Sequence, residues 1–494
     1  MFKKILVANR GEIAVRVIRT CRDLGLATVA IYSETDRNAL HVRLADECYP
    51  ITSEKRYGDG EEVLRIAQDC GADAIHPGYG FLAEQPEFVE ACGAAGITFI
   101  GPPAAVIRTL RRKIPSLELV ESAGFATPPH SESFVTAHEV ALLTAQADDL
   151  GYPLVVKSCR GGRGRGSRIV DRPEKLQEAV ARSQREAANI FGSDEVYLER
   201  AIAPSRHVEV QILGDQHGNI VHLGERDGSL QRNNQKMIVE SPAPYLSPEQ
   251  REEVIEAALT IARLFNYQSV GTVEFLMDGQ GQFYFTEIKC RIQVEHPVNE
   301  LRSGIDLVAE QIRVATGEPL GFTQADVRLS GCAMQCRINA EDPWNHFLPS
   351  PGTLTRFRIP GGNGVRVDSS GYVGFTMPVR YDSLLAKVVT WGEDRPLALR
   401  RLRRAVQDFK IVGVQTNIPL HLHIMVDPNY AQGRYTTDFM WRAKFRDVGE
   451  AGGRARDMAM AAAVAFMIRN QTGRPVVAER TLSGWHRSSR RLPS

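Results

Sequence analysis

Residues 3–8 (KILVAN) form a short apolar run of the kind a buried parallel strand presents, and Asn9-Arg10-Gly11 interrupts it. Ala14, Val17, Ile18, Cys21 and Leu24 then recur at helical spacing until Gly25, and a strand pattern restarts over 27–32. These pieces predict a βαβ unit with its strand-to-helix loop at 9–12. The alternation continues with a helix near 60–69, a strand at 72–75, the loop HPGYGFLAE at 76–84, a helix at 87–95 and a strand at 98–100. Repeated β/α alternation predicts an open, parallel, Rossmann-like sheet, which ends near Lys113.

From 114 to 330 the pattern changes to hairpins and helices, an α+β arrangement. Strands at 208–213 and 220–223 flank a turn at 214–218, a helix spans 248–265, and a second hairpin spans 271–289. Strands return over 331–446, with Gly/Pro turns at 349–352 and 360–364 and a helix at 395–407. The tail from 447 to 494 pairs an Ala-rich helix with a basic, Ser-rich end, and reads as a packing helix or a docking segment. The chain has no internal repeat.

The 494 residues suit about three domains at roughly 100–200 residues each. With 60 basic and 59 acidic residues the net charge is +1, so neither nucleic acid nor a membrane surface is expected as the main partner. Anion binding must come from local clusters. The eight cysteines are dispersed without a CxxC pair, which reads as reduced thiols in a cytosolic protein. Cys332 and Cys336 fall in a strand-like run and read as core. The N-terminus lacks a signal-peptide pattern and no run of about 18 apolar residues occurs, so a cytoplasmic protein is expected.

Three segments carry chemistry. Residues 157–166 (KSCRGGRGRG) follow a strand with glycines that let backbone N–H groups approach phosphate; a flexible surface hairpin is the equal alternative. The Walker pattern is absent. Residues 225–236 (ERDGSLQRNNQK) read either as a solvated loop or as an anion-handling one, with Arg232 and Lys236 as donors. In the third, a strand over 283–295 would put Glu287, Lys289, Arg291, Gln293 and Glu295 on one face and Ile288, Cys290, Ile292 and Val294 on the other. A two-residue turn at Gln280-Gly281 would set Glu274 opposite Glu287. Facing carboxylates repel unless a cation lies between them, and nucleotide-borne Mg²⁺ suits such a pair.

Six segments in this order resemble biotin carboxylase: ANRGEIAVRVIR (8–19), HPGYGFLAE (76–84), RHVEVQ (206–211), ERDGSLQRNNQK (225–236), RIQVEHPVNE (291–300) and CRINAED (336–342). The likeness covers roughly residues 1–445. It implies an ATP-grasp fold at 114–330, with a mobile lid at about 130–203, and a biotin carboxylase C-terminal domain at 331–446. Matching positions imply that ATP is met by Lys113, Lys157, Gly161, Gly162, Gly164, Gly166, Glu199, Arg200, Ile202, His207, Gln231, Asn234 and Leu276. Glu274 and Glu287 match ligands of Mg²⁺ (or Mn²⁺), and Lys289 stands where the family usually has a third ligand, asparagine. Arg291, Gln293 and Val294 match the bicarbonate pocket, Glu295 the general base, and Arg337 the residue that stabilises the biotin enolate. Lys236 matches a group near the transferring phosphate. Arg291 would also keep Glu295 ionised.

The resemblance further implies biotin as a carrier-bound substrate, a biotin carboxyl carrier protein and carboxyltransferase subunits as partners, and a homodimer. The absence of an AMKM attachment motif points to a separate carrier. The chain departs from the family at Lys289, at Arg160 and Arg163 in the glycine run, at Asn234 for histidine, Arg200 for lysine and Gly228 for cysteine. Two alternatives stand beside the carboxylase: a nucleotide-binding regulatory or scaffold homologue with altered activity, and a different ATP-grasp ligase. The HPGYGF and RIQVEHP segments speak against the second.

Overall fold

In the N-terminal region, Lys4–Val7 (β1), Ala27–Tyr32 (β2), Glu47–Pro50 (β3), Ala74–His76 (β4) and Thr98–Phe99 (β5) form one parallel sheet in the order β3-β2-β1-β4-β5. The computed structural model describes residues 2–131, 134–159, 168–443, 445, 462 and 464. The helix Gly11–Asp23 buries Ala14, Val17, Ile18 and Cys21, as its periodicity predicts, and Ile13 with them, while Leu24 just beyond its end is half-buried. Each large apolar side chain among them, taken fully from water, contributes on the order of 1.5–3 kcal/mol. Those residues share their core with Leu213, Val270 and Ile292 of the central region. The parallel sheet is thereby packed directly against the elements that carry the charged segments.

Two loops at the ends of β1 and β4 are knitted together. Asn9 donates from Nδ2 to the carbonyls of Pro77 at 2.7 Å and Tyr79 at 2.9 Å. Gly78 has φ +60°, and a Cβ there would lie 2.9 Å from Asn9 Nδ2, so the glycine is required both by conformation and by the close approach. This fixes the 76–84 loop, whose end carries Glu84.

Leu154–Ser158 (β6), Arg168–Val170 (β7) and Val196–Arg200 (β8) make a separate three-stranded sheet, ordered β7-β6-β8. Residues between 135 and 198 have their own small core, including Val135, Leu154, Val156, Val180 and Leu198. Gly161, Gly162, Gly164, Gly166, Arg160 and Arg163 lie outside the described residues, as does the tail apart from Ala462 and Val464.

The central sheet has eight antiparallel strands. Its members are Arg206–Gly214 (β9), Ile220–Asp227 (β10), Ile238–Ser241 (β13), Ser269–Met277 (β14), Phe283–Lys289 (β15), Cys332–Asn339 (β16), and the strands Val365–Ser369 and Leu384–Gly392. A short hairpin, Gln231–Arg232 (β11) with Gln235–Lys236 (β12), projects between β10 and β13. The sheet order is β15-β14-β9-β10-β13-β16, then Leu384–Gly392 and Val365–Ser369. The ladder therefore runs unbroken from the central region into the C-terminal region, with β13 paired to β16 across residue 330. The helix Pro248–Leu264 starts from a capping box, in which Ser247 and Gln250 exchange side-chain-to-backbone bonds at 3.2 Å. Among the described residues no helix is long and apolar enough to cross a membrane.

Two local expectations are corrected. Glu274 does pair with Glu287, but not through a two-residue turn. The turn bonds Asp278 to Gln282 and leaves three residues between them, which would put Glu274 one place out of register. An irregularity between Glu274 and Phe275 restores it, with Thr286 as the extra residue on β15. The second correction concerns the alternating row. β15 ends at Lys289; residues 290–295 leave the ladder and lead into the helix His296–Ser303, with Glu295 at its N-cap position. Glu287 and Lys289 share a strand, while Arg291, Gln293 and Glu295 reach the same region from an irregular segment.

Candidate active site

The alternation in β9 places Glu209 and Gln211 between buried valines and isoleucine, and both polar side chains are themselves completely buried. They meet Arg226 from the adjacent strand β10. Its guanidinium donates to Glu209 Oε2 at 2.8 Å, to Gln211 Oε1 at 2.7 Å, to Asn299 Oδ1 at 2.9 Å and to Thr272 Oγ1 at 2.9 Å, and also to Gln293 Oε1. All five N–H donors are thus used, which is what burial of an arginine demands. Gln293 passes the chain on, donating from Nε2 to Glu274 Oε1 at 2.6 Å.

Lys236, at the end of the β11–β12 hairpin, lies between two carboxylates. Its ammonium contacts Glu209 Oε1 and Glu274 Oε1, the latter at 3.1 Å. Gly228 makes this possible: a Cβ there would lie 2.9 Å from Glu209 Oε1 and 3.1 Å from Lys236 Cε. His207 Nε2 approaches Glu209 Oε1 at 3.2 Å and Glu274 Oε2 at 3.5 Å. Burial and the Lys236 charge both disfavour the imidazolium, but the two facing carboxylates outweigh them and push His207 up to about 9. Ligand atoms of His207, Glu209 and Glu274 lie within 4.8 Å of one another, yet Lys236 already supplies cationic charge to that trio.

Glu287 is held by two ammonium groups. Lys113, the first residue of the helix Lys113–Ser122, contacts Oε2, and Lys289 donates to Oε1 at 2.5 Å. Burial works against the carboxylate, but Lys113 and Lys289 prevail and hold Glu287 down at about 2. Glu295 shows the same competition: burial opposes ionisation, while Arg337, in direct contact, and then Lys236 bring it to about 2. Arg291 adds to this at longer range, since it and Glu295 each favour the other's charged form, but Arg337 and Lys236 do more. Arg291 has Glu84 as its ion-pair partner at 3.5 Å and donates to the carbonyl of Ile292 at 3.0 Å.

The segment 225–236 is not a solvated loop. Arg226, Asp227, Ser229 and Leu230 are fully buried, and only the hairpin tip is exposed. That tip is Asn233-Asn234, both with positive φ (47° and 61°), the signature of a tight two-residue turn. Asn234 is thus placed by its backbone at the tip, while Gln231 is half-buried in the hairpin. Leu276 and His207 are register partners across β14 and β9. Lys157 on β6 donates to Glu199 on β8 at 2.7 Å, and Tyr197 donates to the same carboxylate at 3.0 Å. Arg200 is exposed at the end of β8 and Ile202 is half-buried just beyond it. The carbonyl of Val294 accepts from Lys387 at 3.3 Å.

Lys236 and Arg337 line one pocket, whose other walls include Arg232, Asn339, Phe347 and Asn417. Arg232 stacks on the Phe347 ring at 3.7 Å. Sequence reasoning did not single out Glu209, Arg226, Asn299, Glu84 or Lys387. The usable signal was the VEVQ alternation, in which polar residues recur inside a strand otherwise built for a core.

Residues 1–107 match the family described as biotin carboxylase, N-terminal domain, and residues 335–442 match the biotin carboxylase C-terminal domain. Between them, residues 113–323 match the carbamoyl-phosphate synthase L chain, ATP binding domain. Biotin carboxylase 1 of Bacillus subtilis is 46% identical over 444 residues, which cover 89% of this chain and 98% of that protein. The chain belongs to the biotin carboxylase family. Another member, the biotin carboxylase of a Nostoc species, is 47% identical over 442 residues, or 89% of this chain and 98% of its own. Among solved biotin carboxylases, the domain dimer from the 2-oxoglutarate carboxylase of Hydrogenobacter thermophilus, in complex with MgADP, ADP and bicarbonate, superposes with a TM-score of 0.87 at 45% identity. That match covers 89% of this chain and 97% of the other. The ATP-grasp fold and its parallel N-terminal sheet are thus those of a biotin carboxylase.

Proposed function

We propose that this chain carboxylates biotin borne on a carrier protein, with ATP and bicarbonate as co-substrates and Mg²⁺ bound with the nucleotide. The observation that carries this reading is the convergence of Lys236, Arg337, the buried carboxylates Glu274 and Glu295 and the half-buried Glu287 in one cation-rich site. Bicarbonate is a poor electrophile. Attack of its oxygen on the γ-phosphorus of ATP releases ADP and gives carboxyphosphate. Glu295 accepts the bicarbonate proton, and Arg291, Gln293 and Val294 hold the anion. Phosphoryl transfer needs positioning and neutralisation of charge, which Lys113, Lys157, His207 and Lys236 supply. Mg²⁺, when bound, neutralises phosphate oxygens, and the carboxylates of Glu274 and Glu287 fit its preference for oxygen ligands.

Carboxyphosphate then breaks its C–O bond to yield CO₂ and phosphate. The phosphate takes the proton from biotin N1, and N1 forms the new bond to CO₂. Arg337 stabilises the enolate charge on the ureido oxygen. Arg337 is paired with Glu295, so its engagement by biotin would relieve Glu295 of the cation that depresses its basicity. The pocket lined by Lys236, Arg337 and Phe347 is the place where the bicyclic ring would enter. Carrier and carboxyltransferase partners, and a homodimer, belong to the same reading, as do a lid at about 130–203 over the nucleotide and Gln231, Ile202 and Leu276 as its neighbours.

The test is ATP hydrolysis by the purified full chain. Turnover that requires bicarbonate and rises with free biotin is expected. ATP binding with no bicarbonate-dependent turnover would show a nucleotide-binding homologue that lacks the carboxylase reaction.

A further inference from the structure

Lys289 occupies a place that a divalent cation would otherwise claim. Glu274 and Glu287 are cross-strand partners on β14 and β15, and Glu274 and Lys289 are themselves buried. Two such carboxylates in a site for polyphosphate call for positive charge at both of their heads. Lys289 lies two residues beyond Glu287 on the same face of β15, and its ammonium donates to Glu287 Oε1 at 2.5 Å. The other oxygen, Oε2, is taken by Lys113. Glu274 Oε1 receives Lys236 at 3.1 Å and Gln293 at 2.6 Å. An ammonium carries three donors and no lone pair, so it supplies charge without offering a ligand.

We propose that Lys289 is a built-in cation that replaces one divalent ion, so that this chain binds a single Mg²⁺ with its nucleotide. The inference rests on the nucleotide reading above. The tethered charge offsets part of the negative charge of the Glu274–Glu287 pair, and the one ion that pair then needs is the one carried by the phosphates. Lys289 is here a positioning residue for the phosphate end of the nucleotide.

The experiment counts ions rather than turnover. The full chain is titrated with Mn²⁺ in the presence of one equivalent of a non-hydrolysable ATP analogue, and bound Mn²⁺ is read by electron paramagnetic resonance. One Mn²⁺ per nucleotide-bound chain is expected, with no spin coupling. Lys289→Asn, which exchanges the ammonium for an amide oxygen, is expected to bind two, with the broadening of neighbouring spins. Analogue affinity against free Mg²⁺ gives a second readout: a single-ion dependence in the natural chain and a two-ion dependence in K289N. Two coupled ions in the natural chain, or one ion in a folded K289N, would overturn the proposal. Should K289N not fold, the count in the natural chain decides alone. No analogue binding at all would overturn the nucleotide reading, and this inference with it.

Discussion

Two buried charge networks meet the 290–295 segment, and they are built differently. The first joins Arg16 to Glu300 at 2.9 Å and Asp306 at 2.8 Å, Arg366 to Glu300 at 2.7 Å and Asp368 at 2.9 Å, and Lys387 to Glu12 at 3.1 Å. It touches the segment only through the main chain, at the Val294 carbonyl. Its carboxylates outnumber its cations. The second network touches the segment through the side chains of Gln293 and Glu295, and it sets Lys113, His207, Arg226, Lys236, Lys289 and Arg337 against Glu209, Glu274, Glu287 and Glu295. Burial of charge is common to both, so burial alone does not mark a site. The sign of the imbalance does: surplus positive charge facing a pocket prepares for an anion that the protein itself does not contain.

The sharpest way to separate the two is to neutralise one member of each. Glu295→Gln should lower biotin-stimulated ATP turnover by roughly 10²–10⁴-fold, the usual worth of a general base. Binding of a non-hydrolysable ATP analogue should stay within a few-fold, and equal losses of both would unmake the assignment. Lys387→Met should act on stability instead. It removes the cation paired with the buried Glu12, and breaking a buried pair from one side costs about 3–5 kcal/mol, readable as a lower urea midpoint. A Lys387→Met protein with unchanged unfolding but lost catalysis would merge the two networks into one.

A smaller effect is expected from pH. His207 is raised from 6.5 to about 9, so its contribution is fully present below pH 6.5 and is lost as pH climbs through 9. Stability against urea should decline over that window, and His207→Gln should flatten the slope. Glu287, lowered from 4.5 to about 2, behaves oppositely: its contribution is present above pH 4.5 and lost on acidification towards 2. Least of all should happen at the exposed pair Arg37–Glu34, whose side chains are 60% and 77% exposed. Glu34→Ala should leave the melting temperature unresolved from that of the natural chain, and a clear drop would mean that exposed pairs here matter as buried ones do.

The parallel sheet was legible because short apolar runs alternate with amphipathic helices, and each periodicity has one physical meaning. The facing of Glu274 and Glu287 was legible too, although through the wrong geometry: a longer turn and a bulge at Thr286 compensate one another, and neither has a distinctive residue pattern. The row at 287–295 failed as a strand because period-two alternation persists into an irregular segment that buries its side chains by other means. Arg226 was unreadable for a different reason. A charged residue in a polar stretch usually faces water, and only the five partners gathered from neighbouring strands, the 290–295 segment and a helix explain its burial.

The unbroken ladder across residue 330 has a consequence for how an unstable intermediate is handled. Arg337 donates its backbone N–H to the carbonyl of Met237, the residue after Lys236, at 3.1 Å. That bond holds the two stretches of backbone about one strand spacing, roughly 4.8 Å, apart. In the proposed reaction, a short-lived carboxyl donor made beside Lys236 would have only a neighbour's distance to travel to Arg337.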